Sequence, residues 1–157
     1  ARLPLPDRGA DVVVMIWLLH LLDAATSAAA LREAARVLRP GGTLITTVDK
    51  DAAAYVGGDP AAALISPVRE AHLSPPGDAP GRVAALTGLA ERGRAAFTGH
   101  GQGRSPRRWR ELLAEGGRHW AAKAGPEALA GLDRRLAALP GQDRPGPDPV
   151  YTLAAFG

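Results

Sequence analysis

No cysteine occurs among the 157 residues, which excludes disulfides, thiolate catalysis and Cys-ligated zinc. Asparagine is also absent, lysine occurs only at Lys50 and Lys123, and aromatic residues make up only 4% of the chain. A core must therefore be built largely from Ala, Leu and Val. The longest apolar run, Val12 to Leu22, is interrupted by His20 and closed by Asp23. It falls well short of the roughly 20 apolar residues that cross a bilayer. A secretory leader is not expected, because Asp7 and Asp11 stand where such a segment is basic and Pro4 and Pro6 are unusual there. The net charge of +3 is small, and nucleic-acid binding needs cations clustered on one surface. These absences predict a cytoplasmic chain with no membrane and no nucleic-acid partner.

What is present suits one α/β domain. Hydrophobic residues make up 46% of the chain and charged residues 22%, so it is neither fibrous nor disordered in composition. Asp11-Val12-Val13-Val14-Met15-Ile16 is β-branched and unalternating, which predicts a strand buried on both faces. Trp17 to Leu22 then reads as a loop or short helix. Ser27 is a candidate cap for a helix from Ala28 to Leu38, with Leu31, Ala34, Ala35 and Leu38 on one face. Pro40-Gly41-Gly42 stops it, and Thr43 to Val48 forms a second strand. A strand–helix–strand unit of this kind implies parallel pairing.

Residues 49–80 show no clear period. A helix is predicted over Arg82 to Phe97, another from Ser105-Pro106 with Trp109, Leu112, Leu113 and Gly116 on one face, and a third from Pro126 with a stripe of Leu129, Leu132, Leu136 and Leu139. Val150 to Ala155 closes the chain as a strand. In outline, residues 1–48 are a core unit, 49–104 a variable substrate-facing region, and 105–157 the final helices and strand.

Four segments carry a resemblance when taken together: Leu5-Pro6-Asp7, Ala10-Asp11-Val12-Val13-Val14, Leu19-His20-Leu21-Leu22-Asp23 and Ala35-Arg36-Val37-Leu38-Arg39-Pro40-Gly41-Gly42-Thr43-Leu44. In order and spacing, residues 3–48 resemble the later half of the small-molecule class I S-adenosyl-L-methionine-dependent methyltransferases. The resemblance implies a Rossmann-like sheet, incomplete here because the first strands and the Gly-rich donor loop are not among these residues, with an antiparallel last strand. It also implies methyl transfer to a small-molecule acceptor with S-adenosyl-L-methionine as cofactor. A chain beginning at Ala1 then reads as the C-terminal portion of such an enzyme, inactive by itself. The alternative is a non-catalytic interaction module, able to self-associate through an exposed strand edge.

On this resemblance Ala1, Met15, Ile16 and Trp17 lie on the cofactor side, with Ala1 beside the residues near the adenine ring. Trp17 either lines the methionine side of the donor pocket or packs the core. His20, just past the strand end, is the candidate general base, since a neutral imidazole there can take a proton from an acceptor hydroxyl or amine; ordering of the turn is the alternative role. Acceptor specificity falls to Tyr55–Thr98. Asp49 and Asp51 are too few for a metal site, and Lys50 between them opposes one. Gly99-His100-Gly101-Gln102-Gly103 imitates a phosphate loop, but a polar helical stretch is expected before it and it reads as a flexible linker. Arg104, Arg107, Arg108 and Arg110 around Trp109 read as a solvated helix face. The resemblance also expects a sixth strand after the Ser105 helix. No β-branched run follows Glu115-Gly116-Gly117, so that strand is shortened, replaced or deleted.

Overall fold

A computed structural model describes residues 2–73, 76–116 and 119–157, with His119 described by its backbone alone. The elements follow as β1 (Ala10–Met15), α1 (Ala24–Val37), β2 (Leu38–Val48), α2 (Pro60–Ala71), α3 (Pro80–Thr87), β3 (Glu91–Thr98), α4 (Pro106–Ala114), α5 (His119–Ala137) and β4 (Val150–Phe156). They fall into two compact units, one of residues 1–51, 75–97 and 151–157, the other of residues 52–74 and 98–150.

The first unit is an α/β sheet of Rossmann-like type, with strand order β1-β2-β4-β3. β1 and β2 run parallel, joined through α1, and β4 returns antiparallel to β2. One sheet face carries the core: Met15, Leu31, Ala34, Leu44, Val83, Ala154 and Phe156 are buried, with Val13 packed against them. Leu31 and Leu44 are fully buried, and burial of each contributes about 1.5–3 kcal/mol. On β1 the other face is open. Val12 and Val14 are 51% and 58% exposed, so the strand is buried on one face, not on two as its composition suggests.

The α1 helix starts four residues before its predicted start because Asp23, not Ser27, caps it. The Asp23 carboxylate accepts from the amides of Ala25 and Thr26 at 2.9 and 2.8 Å and from the Thr26 hydroxyl at 2.7 Å. A carboxylate satisfying several helix-start donors outcompetes a hydroxyl. Ser27 is buried inside the helix, its hydroxyl donating to the Ala24 carbonyl. After Val37 the chain turns at once into β2, and the Pro40-Gly41-Gly42 segment interrupts the β1–β2 register between Ala10↔Leu38 and Val12↔Thr43. Gly41 adopts φ +78°, and a Cβ on Gly42 would stand 3.0 Å from the carbonyl oxygens of both Arg39 and Asp11.

Three further expectations are corrected. The segment without a clear period contains α2, started by Asp59 and Pro60, whose pattern is blurred by Pro67 inside the helix. The helix predicted to reach Phe97 ends at Thr87, where Gly88 takes the left-handed cap conformation. Glu91–Thr98 is instead β3, and all of its residues are exposed, so no alternation marks it as a strand. Hydrogen bonds from the Gly157 amide to the Ala90 carbonyl and from the Gly99 amide to the Pro149 carbonyl flank an antiparallel β3–β4 pairing. The sheet position beside β4 is therefore filled from ahead of the Ser105 helix. Among the described residues no strand lies between α4 and β4.

The second unit is helical. Ser105 caps α4 as expected, and α5 breaks at Gly125 (φ +81°), so its second segment starts at Pro126 as the sequence predicts. Ile65, Trp109, Leu113, Trp120, Leu132 and Leu136 are buried together.

Candidate functional site

In parallel α/β sheets the C-terminal ends of the strands face ligands. At the end of β1, two buried threonines of β2 fix the backbone. The Thr46 hydroxyl donates to the Met15 carbonyl at 2.9 Å, and the Trp17 amide donates to Thr47 Oγ1 at 3.0 Å. Trp17 takes φ +52°, a left-handed conformation that side-chain-bearing residues rarely adopt. Strain of this kind persists only where the surroundings fix it, and it concentrates at functional sites. Of the residues expected on the cofactor side, Met15 belongs to the core, while Ile16 and Trp17 are 44% and 39% exposed. Ala1 lies outside the described residues. His20 sits half-buried in a short 3-10 turn, Leu19–Leu21.

At the end of β2, Asp49 is a second left-handed residue, at φ +49°. The buried Asp78 reaches it from the loop before α3, and its Oδ2 accepts from the Lys50 amide at 2.9 Å. Its Oδ1 is buried without a hydrogen-bond partner, and burial pushes the Asp78 carboxyl above its ordinary range. Lys50 Nζ lies 3.9 Å from Asp51 Oδ1 and 5.8 Å from the centre of the Trp17 ring. Among the described residues no group of three or more His, Asp or Glu is placed to hold a metal ion. None of their helices is long and apolar enough to cross a membrane.

Sequence reasoning missed the partners of Trp17. The Tyr151 ring stands 5.5 Å from Trp17 on one side and 5.5 Å from Phe97 on the other. Tyr151 is buried, and Phe97 is 38% exposed. The chain has only seven aromatic residues, so three in one row is a concentration. Their scarcity was the available signal, but their distance apart in sequence hid the row.

Other candidates are internally occupied. The Gly99–Gly103 loop follows a strand after all, yet its amides hold an internal anion. The Asp148 carboxylate accepts from Gly101, Gln102 and Gly103 at 3.0, 2.9 and 2.8 Å, which pulls its pKa below the ordinary carboxylate value. The linker is thus tied, not loose. Arg107, Arg108 and Arg110 pair with Asp143, Glu111 and Asp133, as a solvated helix face would, while Arg104 lies over the Trp109 ring at 4.8 Å. Tyr55 stacks on Trp109 at 5.3 Å, and its hydroxyl accepts from Trp120 Nε1 at 3.1 Å.

Residues 1–46, which build β1, α1 and most of β2, match the family model of a methyltransferase domain. The front of the chain is methyltransferase-like. No curated protein matches the chain. Among solved structures, a protein described as a methyltransferase from an antibiotic biosynthesis pathway of Anabaena variabilis superposes with a TM-score of 0.53 at 16% identity, over 99% of this chain and 70% of its own. One described as a methyltransferase from Bacillus halodurans gives 0.45 at 13% identity, over 99% of this chain and 65% of its own. The [4+2]-cyclase SpnF gives 0.42 at 20% identity, over 98% of this chain and 52% of its own. The first likeness is one of fold. The chain spans 65% and 52% of the length of the other two.

Proposed function

We propose that this chain is the C-terminal portion of an S-adenosyl-L-methionine-dependent methyltransferase for a small-molecule acceptor. The observation that carries the reading is the strained reversal at Trp17, held by Thr47, at the C-terminal end of β1 within the segment that matches the family. The exposed surfaces of Ile16 and Trp17 offer apolar contact to the methylthio end of the donor. Among the described residues, the strand-borne Gly-rich turn that would cradle the rest of the donor is not found, since the Gly101, Gln102 and Gly103 amides are taken by Asp148 and the Gly99 amide by the Pro149 carbonyl.

When bound, the donor supplies an electrophilic methyl group on sulfonium sulfur. The chain's own contribution is placement: Thr46 and Thr47 fix the strand end, and Trp17 presents a wall against which an acceptor is oriented. Positioning of this kind supplies a large share of the rate in reactions between two bound partners. His20 takes the acceptor proton only where the nucleophile must lose one. By themselves the 157 residues bind the donor weakly and do not turn over. Calorimetric titration with S-adenosyl-L-methionine tests this: weak or undetectable heat is expected, and low-micromolar binding by the 157-residue polypeptide overturns it.

A second reading, a non-catalytic module, is favoured by β1 itself. It stands at the edge of the described sheet with Val12 and Val14 exposed, a surface suited to pairing with the same strand of a second copy. Size-exclusion chromatography over a range of concentrations decides it. A dimer abolished by Val14→Lys supports self-association, and a monomer throughout contradicts it.

A further inference from the structure

We propose that Trp17, Tyr151 and Phe97 form a binding shelf for a planar aromatic or conjugated molecule carrying an anionic oxygen, with Lys50 as the partner of the anion. The inference deepens the methyl-transfer reading by giving the acceptor a chemical class, and it rests on that reading only for the word acceptor. The row crosses the sheet at one end: Trp17 follows β1, Tyr151 opens β4, and Phe97 lies near the end of β3. The central ring is buried and the outer two are more than a third exposed, so the row is anchored in the middle and open at both sides.

Two features separate this row from ordinary packing. The one other aromatic of the first unit, Phe156, is fully buried, whereas Trp17 stays exposed in a backbone conformation that costs free energy to hold. One of the chain's only two lysines lies over the face of that ring. An ammonium carries three donors, so its pairing with Asp51 at 3.9 Å is compatible with pairing to a ligand oxygen. The rings are tilted, by 59° between Trp17 and Tyr151 and by 39° between Tyr151 and Phe97, so a planar ligand stacks on one exposed ring. The Trp17 face bordered by Lys50 selects for planarity and negative charge together. A saturated ring makes poorer contact with an aromatic face, and an uncharged ring gains no ion pair with Lys50.

The test uses the 157-residue chain without methyl donor and three probes: naphthoate, the non-planar decalin carboxylate, and the uncharged naphthyl methanol. Binding is followed by nuclear magnetic resonance titration. Shifts from naphthoate are expected at Trp17, Tyr151, Phe97 and Lys50. Decalin carboxylate is expected to bind about 3–10-fold more weakly, the range set by aromatic pair energies. Lys50→Gln is expected to weaken naphthoate about 2–5-fold, as a surface ion pair would, and to leave naphthyl methanol unchanged. Trp17→Leu abolishes the preference for planarity, while Trp17→Phe keeps the chain folded and retains it. Equal binding of decalin carboxylate, shifts remote from the shelf, or indifference of naphthoate to Lys50→Gln overturns the proposal. Because no donor is present, loss of naphthoate binding condemns the shelf alone, and S-adenosyl-L-methionine shifts confined to residues other than Ile16, Trp17 and His20 separately condemn the methyl-transfer reading.

Discussion

The amide of Trp17 donates to the hydroxyl oxygen of Thr47, 30 residues further along the chain, at 3.0 Å. This bond closes the reversal at the end of β1 and holds Trp17 at φ +52°. Thr47→Val keeps the shape of the side chain and removes the acceptor. An unsatisfied donor at such a site costs about 1–3 kcal/mol. Urea unfolding is expected to show a loss of that size, with Thr47→Ser recovering most of it. A Thr47→Val chain as stable as the parent refutes the role of the bond.

The Gly pair after Pro40 makes two separate demands. Gly41→Ala forces a side chain into φ +78° in otherwise open space, a strain of about 1–2 kcal/mol. Gly42→Ala pushes a methyl against the Asp11 and Arg39 carbonyls. Only the second substitution is expected to disturb the β1–β2 register, so hydrogen exchange of the Val12 to Met15 amides should quicken in Gly42→Ala far more than in Gly41→Ala. Equal effects would show that both act through backbone strain alone.

Asp78 gives a pH prediction of defined sign. Its carboxyl is raised in the folded chain by burial. A group raised on folding stabilises fully below its unfolded value, and that contribution is lost as pH rises through the folded value. The parent chain should therefore lose stability relative to Asp78→Asn as pH rises above the ordinary carboxylate value of about 4. Asparagine keeps an acceptor for the Lys50 amide. Thermal unfolding of both chains from acid to neutral pH checks this, and parallel curves contradict it.

Asp148 behaves in the opposite sense. Three amides, Gly103 foremost, lower its pKa, so its contribution is present above the unfolded value and lost as pH falls through the folded one. Asp148→Ala should speed hydrogen exchange at Gly101, Gln102 and Gly103 at neutral pH by about 10-fold, as local opening of the loop becomes easier. In the parent chain the same protection should fade only in acid. Unchanged exchange in the variant means the loop is ordered by something else.

The parts legible in the sequence are those where local pattern and tertiary role coincide. β1, α1 and β2 announce themselves through their apolar runs, and α4 through Ser105-Pro106, whereas Pro40-Gly41-Gly42, expected to stop α1, lies inside β2, the helix having ended at Val37. Of the candidate site, Ile16, Trp17 and His20 are proposed from sequence because they follow the end of an apolar strand. Tyr151, Phe97 and Lys50 are not, because β4 and β3 bring them to Trp17 through strand pairing that no local period encodes. The exposed residues of β3 carry no alternation that separates strand from helix, and its hydrogen bonding beside β4 makes it a strand. Asp23 displaced Ser27 as a cap through hydrogen bonds that spacing alone cannot rank.

Residue-resolved titration of the 157-residue chain with S-adenosyl-L-methionine is the most direct test. Weak shifts, unsaturated in the low-micromolar range and concentrated at Ile16, Trp17 and His20, are the predicted result. Shifts confined to other residues, or saturation at low-micromolar donor, would contradict the assignment of this strand end to the methyl-donor side of a partial site.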